Sequence, residues 1–301
     1  MSDYYGKGSI IYKILIVILT AALIASIYYP KSLWDKEERN KQECRYRMSN
    51  IYNAELQYQR FKWAYTDSLN QLIQFIKTDS AYHAYVDSIF SHPIDDLVAQ
   101  FDSLKGEQVQ LAQFVQTITP EDSVALDSLD KKIEDITTHN RILRDKMESV
   151  REFLKNHPCA PVSTFDKALA IIERKDFFLQ YRIVQNDTRQ GNIKKALEAS
   201  KGIEANYDKI ISNLRETKME LPTIYTLVDS LYVCPTVRKP YKLTVIDTSV
   251  IKYADVECPI DSTDIERVKH NFLLSTVGAL KLENHGKIQG GEKSWETGAK
   301  R

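Results

Sequence analysis

The chain has 301 residues, enough for one or two domains, and 43% of them are hydrophobic, enough for real cores. Its 41 basic and 41 acidic residues cancel, which excludes the basic footprint of a nucleic-acid-binding protein. Only 10 glycines and 9 prolines are present, which favours long regular elements over many turns.

The first element is apolar. Ile14 to Tyr29 carries no charge, and extension back to Ile10 admits only Lys13. About twenty helical residues span the ~30 Å of a hydrocarbon core. Residues 1–30 therefore read as a short leader and a single transmembrane helix, with membrane lipid as the first partner. Lys13 can snorkel to the headgroups, and Tyr12, Tyr28 and Tyr29 fall at the levels of an interfacial aromatic belt. A cleaved signal peptide is the alternative. The apolar core is longer than such peptides have, and Tyr28-Tyr29-Pro30 is a poor cleavage site.

Orientation draws two opposed signals. Lys7 and Lys13 precede the span, whereas Lys31, Lys36, Arg39, Lys41, Arg45 and Arg47 follow it. That bias keeps the body in the cytoplasm, although long domains translocate largely regardless of flanking charge. The cysteines point outward. They number four, and Cys234 and Cys258 bracket one compact segment, each followed by proline. A Cys234–Cys258 disulfide implies an oxidising compartment. The expected localisation is the inner (cytoplasmic) membrane, single-pass, with a periplasmic body.

Residues 31–92 read as a stem helix and the helical start of a head. Here the chain resembles a type IV pilin or a type II secretion pseudopilin. Gly8 stands where the basic leader of that family ends, with Lys7 before it. Counting from Ser9, Pro30 is the twenty-second residue, the place of the family's helix proline. Asn50 to Tyr58 resembles the amphipathic half of the family's long helix, and Tyr65-Thr66-Asp67-Ser68-Leu69 resembles the start of many pilin heads. Cys234 to Tyr241 resembles a segment common in pseudopilin heads. The resemblance implies processing at Gly8 and a globular head on a helical stem. It departs at Lys13, where the family has the glutamate that pairs with a neighbouring subunit during assembly. A chain with lysine there should not copolymerise through that contact.

From Leu97 the apolar residues fall at Leu97, Phe101, Leu104, Leu111, Val115 and Ile118, a heptad with Gln108 in the skipped place. Thr119-Pro120-Glu121-Asp122 interrupts. A second heptad runs Leu126, Leu129, Ile133, Ile136, Asn140, Leu143, Met147, Val150 and Leu154. Residues 93–157 thus predict an antiparallel coiled-coil hairpin, a short arm on which partner proteins could dock. Folding at the breaker sets Leu104 against Asn140 and Gln108 against Ile136. The two polar residues then lie in adjacent layers, close enough to hydrogen-bond and fix register. A parallel homodimeric coiled coil is the alternative. The two prolines of His157-Pro158-Cys159-Ala160-Pro161 read as a linker; a metal site is the alternative, which lacks a second ligand cluster at hand. Residues 158–220 predict two further helices, one from Ser163 to about Val184 and one from Ile193 to about Met219. Tyr85-Val-Asp-Ser-Ile-Phe90 echoes Leu227-Val-Asp-Ser-Leu-Tyr232, either as a repeated helix-capping idiom or as the mark of an arm inserted into a pilin-like head whose halves are now far apart in sequence.

Residues 221–301 form the β-rich end. Tyr241 to Ile246 and Val250 to Val256 predict a hairpin turning at Asp247-Thr248-Ser249. Its open end brings Cys234 and Cys258 together, and closing that loop by a disulfide would add roughly 3 kcal/mol. Asp264 to His270 predicts a short helix, and Phe272 to Leu282 and Lys287 to Trp295 further strands. The fold class is then mainly α with a small C-terminal antiparallel sheet. Asp255, Glu257, Asp261 and Asp264 are acidic but lack the turn glycine of a calcium loop, and read as a solvated face. No phosphate loop, dinucleotide glycine pattern, zinc-protease motif or nucleophile elbow is present. The expected protein is not an enzyme and needs no cofactor. It reads as a structural or adaptor subunit of a bacterial cell-envelope assembly, with protein partners or further copies of itself. A membrane-tethered ligand- or peptide-binding sensor, or a coiled-coil scaffold without pilin ancestry, is the alternative.

Overall fold

The first helix changes character along its length. In the computed structural model, which describes residues 8–248 and 251–297, helix α1 runs unbroken over Gly8–Lys62 and contains Pro30. From Tyr12 to Tyr29 every side chain is exposed. Beyond that, Cys44, Met48, Ile51 and Ala54 recur at helical spacing and are buried. Gly8, the first described residue, is helical. Lys7 and the turn residue Ser249 lie outside the described residues.

The remaining elements are α2 (Leu69–Thr78), α3 (Ser80–Val86), α4 (His92–Thr117), α5 (Ser123–Lys155), α6 (Val162–Glu173), α7 (Lys175–Arg189), α8 (Ile193–Glu220), α9 (Thr223–Leu227), α10 (Ser262–His270) and α11 (Ser294–Thr297), with strands β1 (Lys242–Asp247), β2 (Lys252–Glu257), β3 (Lys287–Gln289) and β4 (Glu292–Lys293). The protein is mainly helical with a four-stranded antiparallel sheet in the order β1-β2-β3-β4. The chain forms two units. A sheet unit comprises the chain up to Leu56, Ala64–Leu69 and the chain from Ser230. A helical unit comprises Gln57–Trp63 and Asn70–Asp229. The stretches 93–157 and 158–220 therefore belong to one body, and residues 31–56 share a unit with the C-terminal strands.

In the helical unit, both heptads mark the buried face. Every heptad position from Leu97 to Ile118 in and after α4, and from Leu126 to Leu154 in α5, is buried, Gln108 and Asn140 included. Asp122 caps α5 by accepting from Ala125 N–H at 2.9 Å. What covers these faces differs from a two-helix arm. Helix α4 lies along α8, and α8 also packs on α6 and α7. Three ion pairs mark α4 as antiparallel to α8: Lys218–Asp95 at 2.5 Å, Arg215–Asp102 at 2.9 Å and Lys105–Asp208 at 2.6 Å. The polar residues follow this packing rather than the hairpin register. Gln108 donates to Ser200 Oγ at 2.6 Å, and Asn140 donates to Tyr207 Oη at 2.7 Å. The expected Gln108–Asn140 pair is thus replaced by partners on α8. Tyr207 and Tyr181 hydroxyls are 2.7 Å apart, closing a buried amide–phenol cluster. The predicted helix from Ser163 is two helices, because Arg174 adopts extended geometry (φ −65°, ψ 134°) between α6 and α7.

In the sheet unit, Ala254, Val256 and Cys258 alternate inward along β2, and Val256 pairs with the buried Ile288 of β3. Gly290 and Gly291 turn β3 into β4 with φ of 54° and 96°, the left-handed region open to glycine. The segment Phe272 to Leu282 is not a strand. Asn271 Oδ1 accepts from Leu274 N–H at 3.1 Å, and Gly278 N–H returns to Leu273 O at 2.9 Å, which winds Leu273–Val277 into one π-helical turn. The two echo segments likewise become helical turns of other pitch, π at Asp87–Ser91 and 3-10 at Val228–Tyr232, and no side-chain cap is formed at the first.

Candidate functional site

The site lies wholly inside the sheet unit and begins with a helical cysteine. Cys44 sits on the buried face of α1, one turn before Met48. Cys234 opens a tight reversal. Its N–H donates to Lys239 O at 2.9 Å, its carbonyl accepts from Arg238 N–H at 2.9 Å, and Val233 bridges Pro240. Arg238 takes the positive φ (58°) that this loop demands. Cys258 follows the last residue of β2 and donates its N–H to Gly286 O at 3.1 Å. Pro259 then prevents the strand from continuing.

His285 completes the group. Asn284 on one side donates to the carbonyls of Cys258 and Ile260, at 3.1 and 2.9 Å, and accepts from Gly286 N–H at 2.9 Å. Gly286 has φ 114°, and a Cβ there would stand 2.6 Å from Ser294 Oγ and 2.8 Å from the Trp295 ring, so only glycine fits. Arg45 Nε donates to the His285 carbonyl at 3.0 Å. These contacts fix the imidazole against the sulfurs.

The ligand-capable atoms of Cys44, Cys234, Cys258 and His285 all lie within 4.8 Å of one another, and all four residues are buried. Cys44 Sγ and Cys258 Sγ are 3.6 Å apart. His285 Nε2 contacts Glu37 Oε1 at 2.8 Å, and Glu37 also accepts from Thr236 Oγ1 at 3.3 Å. The other ring nitrogen, Nδ1, is buried without a hydrogen bond. Hydrogen bonds from Cys258 and Cys44 hold the Cys234 thiol far below its ordinary range, and the backbone N–H of Val237 assists. Its neighbours Cys234 and Cys258, with burial, push the Cys44 thiol up. The two thiols are thus pushed in opposite directions by the same cluster.

All four cysteines are free thiols. The expected Cys234–Cys258 disulfide is not formed, although the predicted hairpin does bring these two residues together. They meet as part of a larger group, with Cys44 and His285 inserted beside them. Nothing in the sequence motifs announced those two. Cys44 is 214 positions from Cys258, and His285 falls in the short Asn284-His285-Gly286 connection, with no ligand spacing around it. Cys159 is buried in the helical unit and takes no part. Two residues of the acidic cluster are structural: Asp261 and Asp264 form a capping box at α10, and both pair with Lys239, at 2.8 and 2.7 Å. Gln108 and Asn140 serve the core of the helical unit. Lys13 and Pro30 lie on α1, Lys13 exposed and Pro30 half-buried.

A groove of about 860 Å³ on the helical unit is lined by Arg141, Arg144, Arg182, Glu134 and Glu173, whose charges largely offset one another. No protein family, curated protein or solved structure matches the chain.

Proposed function

We propose that the protein is a non-enzymatic, single-pass membrane-anchored adaptor or structural subunit that works by contact. The observation that carries this reading is α1: one helix of 55 residues, apolar and fully exposed over its first part and packed over its second. Water penalises such an exposed apolar rod, and a bilayer does not. The sheet unit supports it. Trp34, one turn after Pro30, donates Nε1–H to Ala279 O at 3.3 Å, and Leu33 lies against Gly278. The exposed Phe272, Leu273 and Val277 belong to that same turn, where an interfacial apolar surface would meet headgroups.

The thiols bear on which side of a bilayer the body would occupy. The expectation of a periplasmic body rested on a disulfide. With Cys234 and Cys258 free, the six basic residues after the span are the remaining signal, and they favour a cytoplasmic body. A pilin-like stem is the second reading, favoured by the continuity of α1 through Pro30; it requires the body outside. A membrane-impermeant biotin reagent applied to intact and to permeabilised cells separates the two. Labelling of body lysines only after permeabilisation supports the adaptor, and labelling in intact cells supports the pilin-like stem. Recovery of the intact chain in the soluble fraction without detergent would sink both. Co-purification in mild detergent then tests the contact role: a stoichiometric partner is expected, and a lone monodisperse protein would favour a sensor.

A further inference from the structure

We infer that Cys44, Cys234, Cys258 and His285 bind one Zn²⁺ ion in a closed tetrahedral site that ties α1 to the C-terminal strands. This rests on the sheet unit alone and is independent of the membrane reading.

Three sulfurs and one imidazole are a donor set that zinc favours in structural sites. Zinc–sulfur bonds of ~2.3 Å place tetrahedral sulfurs on the order of 3.8 Å apart, and Cys44 and Cys258 stand at 3.6 Å. A disulfide needs ~2 Å between sulfurs, and it would leave the third cysteine and the imidazole of a fully buried group unmatched. The histidine is already set for a ligand. Glu37 faces Nε2, which places the proton there and turns the Nδ1 lone pair inward. A carboxylate behind a histidine is the usual outer support of a zinc ligand. Three thiolates and Zn²⁺ leave one net negative charge. Arg45 lies beside it, its guanidinium donating to the carbonyl of the ligand residue His285 at 3.0 Å, while Arg47, paired with Glu43 at 2.7 Å, braces the Val233 carbonyl next to Cys234 at 2.8 Å. Four protein donors leave no open position, so the ion is structural and activates no water.

The full-length protein purified in detergent tests this. Elemental analysis should find one zinc per chain that survives dialysis. Replacement with Co²⁺ should give the thiolate charge-transfer and intense visible bands of tetrahedral coordination. A mercurial that caps thiols should release the metal to a chromophoric chelator. Glu37→Gln keeps all four ligands and should weaken zinc retention 10- to 100-fold against a competing chelator, while Cys159→Ser should leave it unchanged. The metal content and cobalt spectrum of the unaltered chain decide the matter even where a ligand variant fails to fold. Absence of both zinc and a tetrahedral cobalt spectrum would overturn the site, as would iron in place of zinc or a mapped Cys234–Cys258 disulfide.

Discussion

The two units reach stability by different routes. The helical unit fills its interior with long amphipathic helices, and the buried Asn140, Tyr181 and Tyr207 satisfy one another within it. The sheet unit has short strands, two of them of three residues or fewer, and segments drawn from both ends of the chain. Its centre is held by a thiol–imidazole group and by single polar bonds such as Arg45 to His285. A small core with few apolar side chains needs a staple, whereas a bundle does not. The contrast predicts that the units respond differently to the same perturbation.

Metal removal should separate them most. Structural zinc supplies on the order of 10–16 kcal/mol of binding free energy in small metal-dependent domains. With a strong chelator, peptides around Cys234, Cys258 and His285 should lose hydrogen-exchange protection, while those of α5 and α8 keep theirs. Equal loss in both units would end the comparison as drawn.

Acid and base should act in opposite directions. Glu55, in the sheet unit, is fully buried. One oxygen accepts from Thr66 N–H at 3.1 Å, and the other has no partner. Burial, and then the charge of Asp67, raise its carboxyl from 4.5 to about 7. A raised folded pKa means the folded state holds its proton longer. Stability from this residue is full below 4.5 and is lost as pH rises through about 7, by a few kcal/mol at most. His157, in the helical unit, donates Nδ1–H to Phe153 O at 3.0 Å and packs on Phe90. Burial, reinforced by Arg60, lowers it to about 4. Its stability is present above 6.5 and is lost as pH falls through about 4, again by a few kcal/mol. Hydrogen exchange at several pH values should show the two slopes in separate peptides. Glu55→Gln should flatten the first slope only, and His157→Asn the second only.

The two units were also unequally legible. Periodicity located the buried faces of α4 and α5 residue by residue, because a helix repeats its face every 3.6 residues whatever covers it. For the same reason it could not say what covers it, and Gln108 and Asn140 were matched to each other instead of to Ser200 and Tyr207. The hairpin of β1 and β2 was visible from alternation and a turn signal. Phe272 to Leu282 was not, since Asn271 and Gly278 override strand-like composition with local hydrogen bonds. The site was half visible. Two Cys-Pro pairs stood out, but an even count suggested pairing by twos. A lone cysteine in mid-helix and a histidine in a turn carry no spacing that marks a ligand, and only folding brings them together.

Smaller effects should test the helical unit's self-sufficiency. Tyr207→Phe removes one hydroxyl from the amide–phenol cluster and leaves the Asn140 amide partly unmatched. It should cost about 1–3 kcal/mol, read as a lowered midpoint for α5 and α8 and no change in zinc content. A loss confined to the sheet unit would contradict the independence of the two.

The least effect is expected on the surface of that unit. Lys218 and Asp95 are paired at 2.5 Å, yet their side chains are 42% and 53% exposed. Water screens such a pair and side-chain entropy opposes it, so Lys218→Ala should shift stability by less than about 1 kcal/mol. High salt should erase even that difference. The α4–α8 register would then rest on the buried faces, with the three ion pairs marking it rather than enforcing it. A loss several times larger, persisting in high salt, would mean that the ladder enforces the register and that the helical unit, like the sheet unit, depends on polar staples.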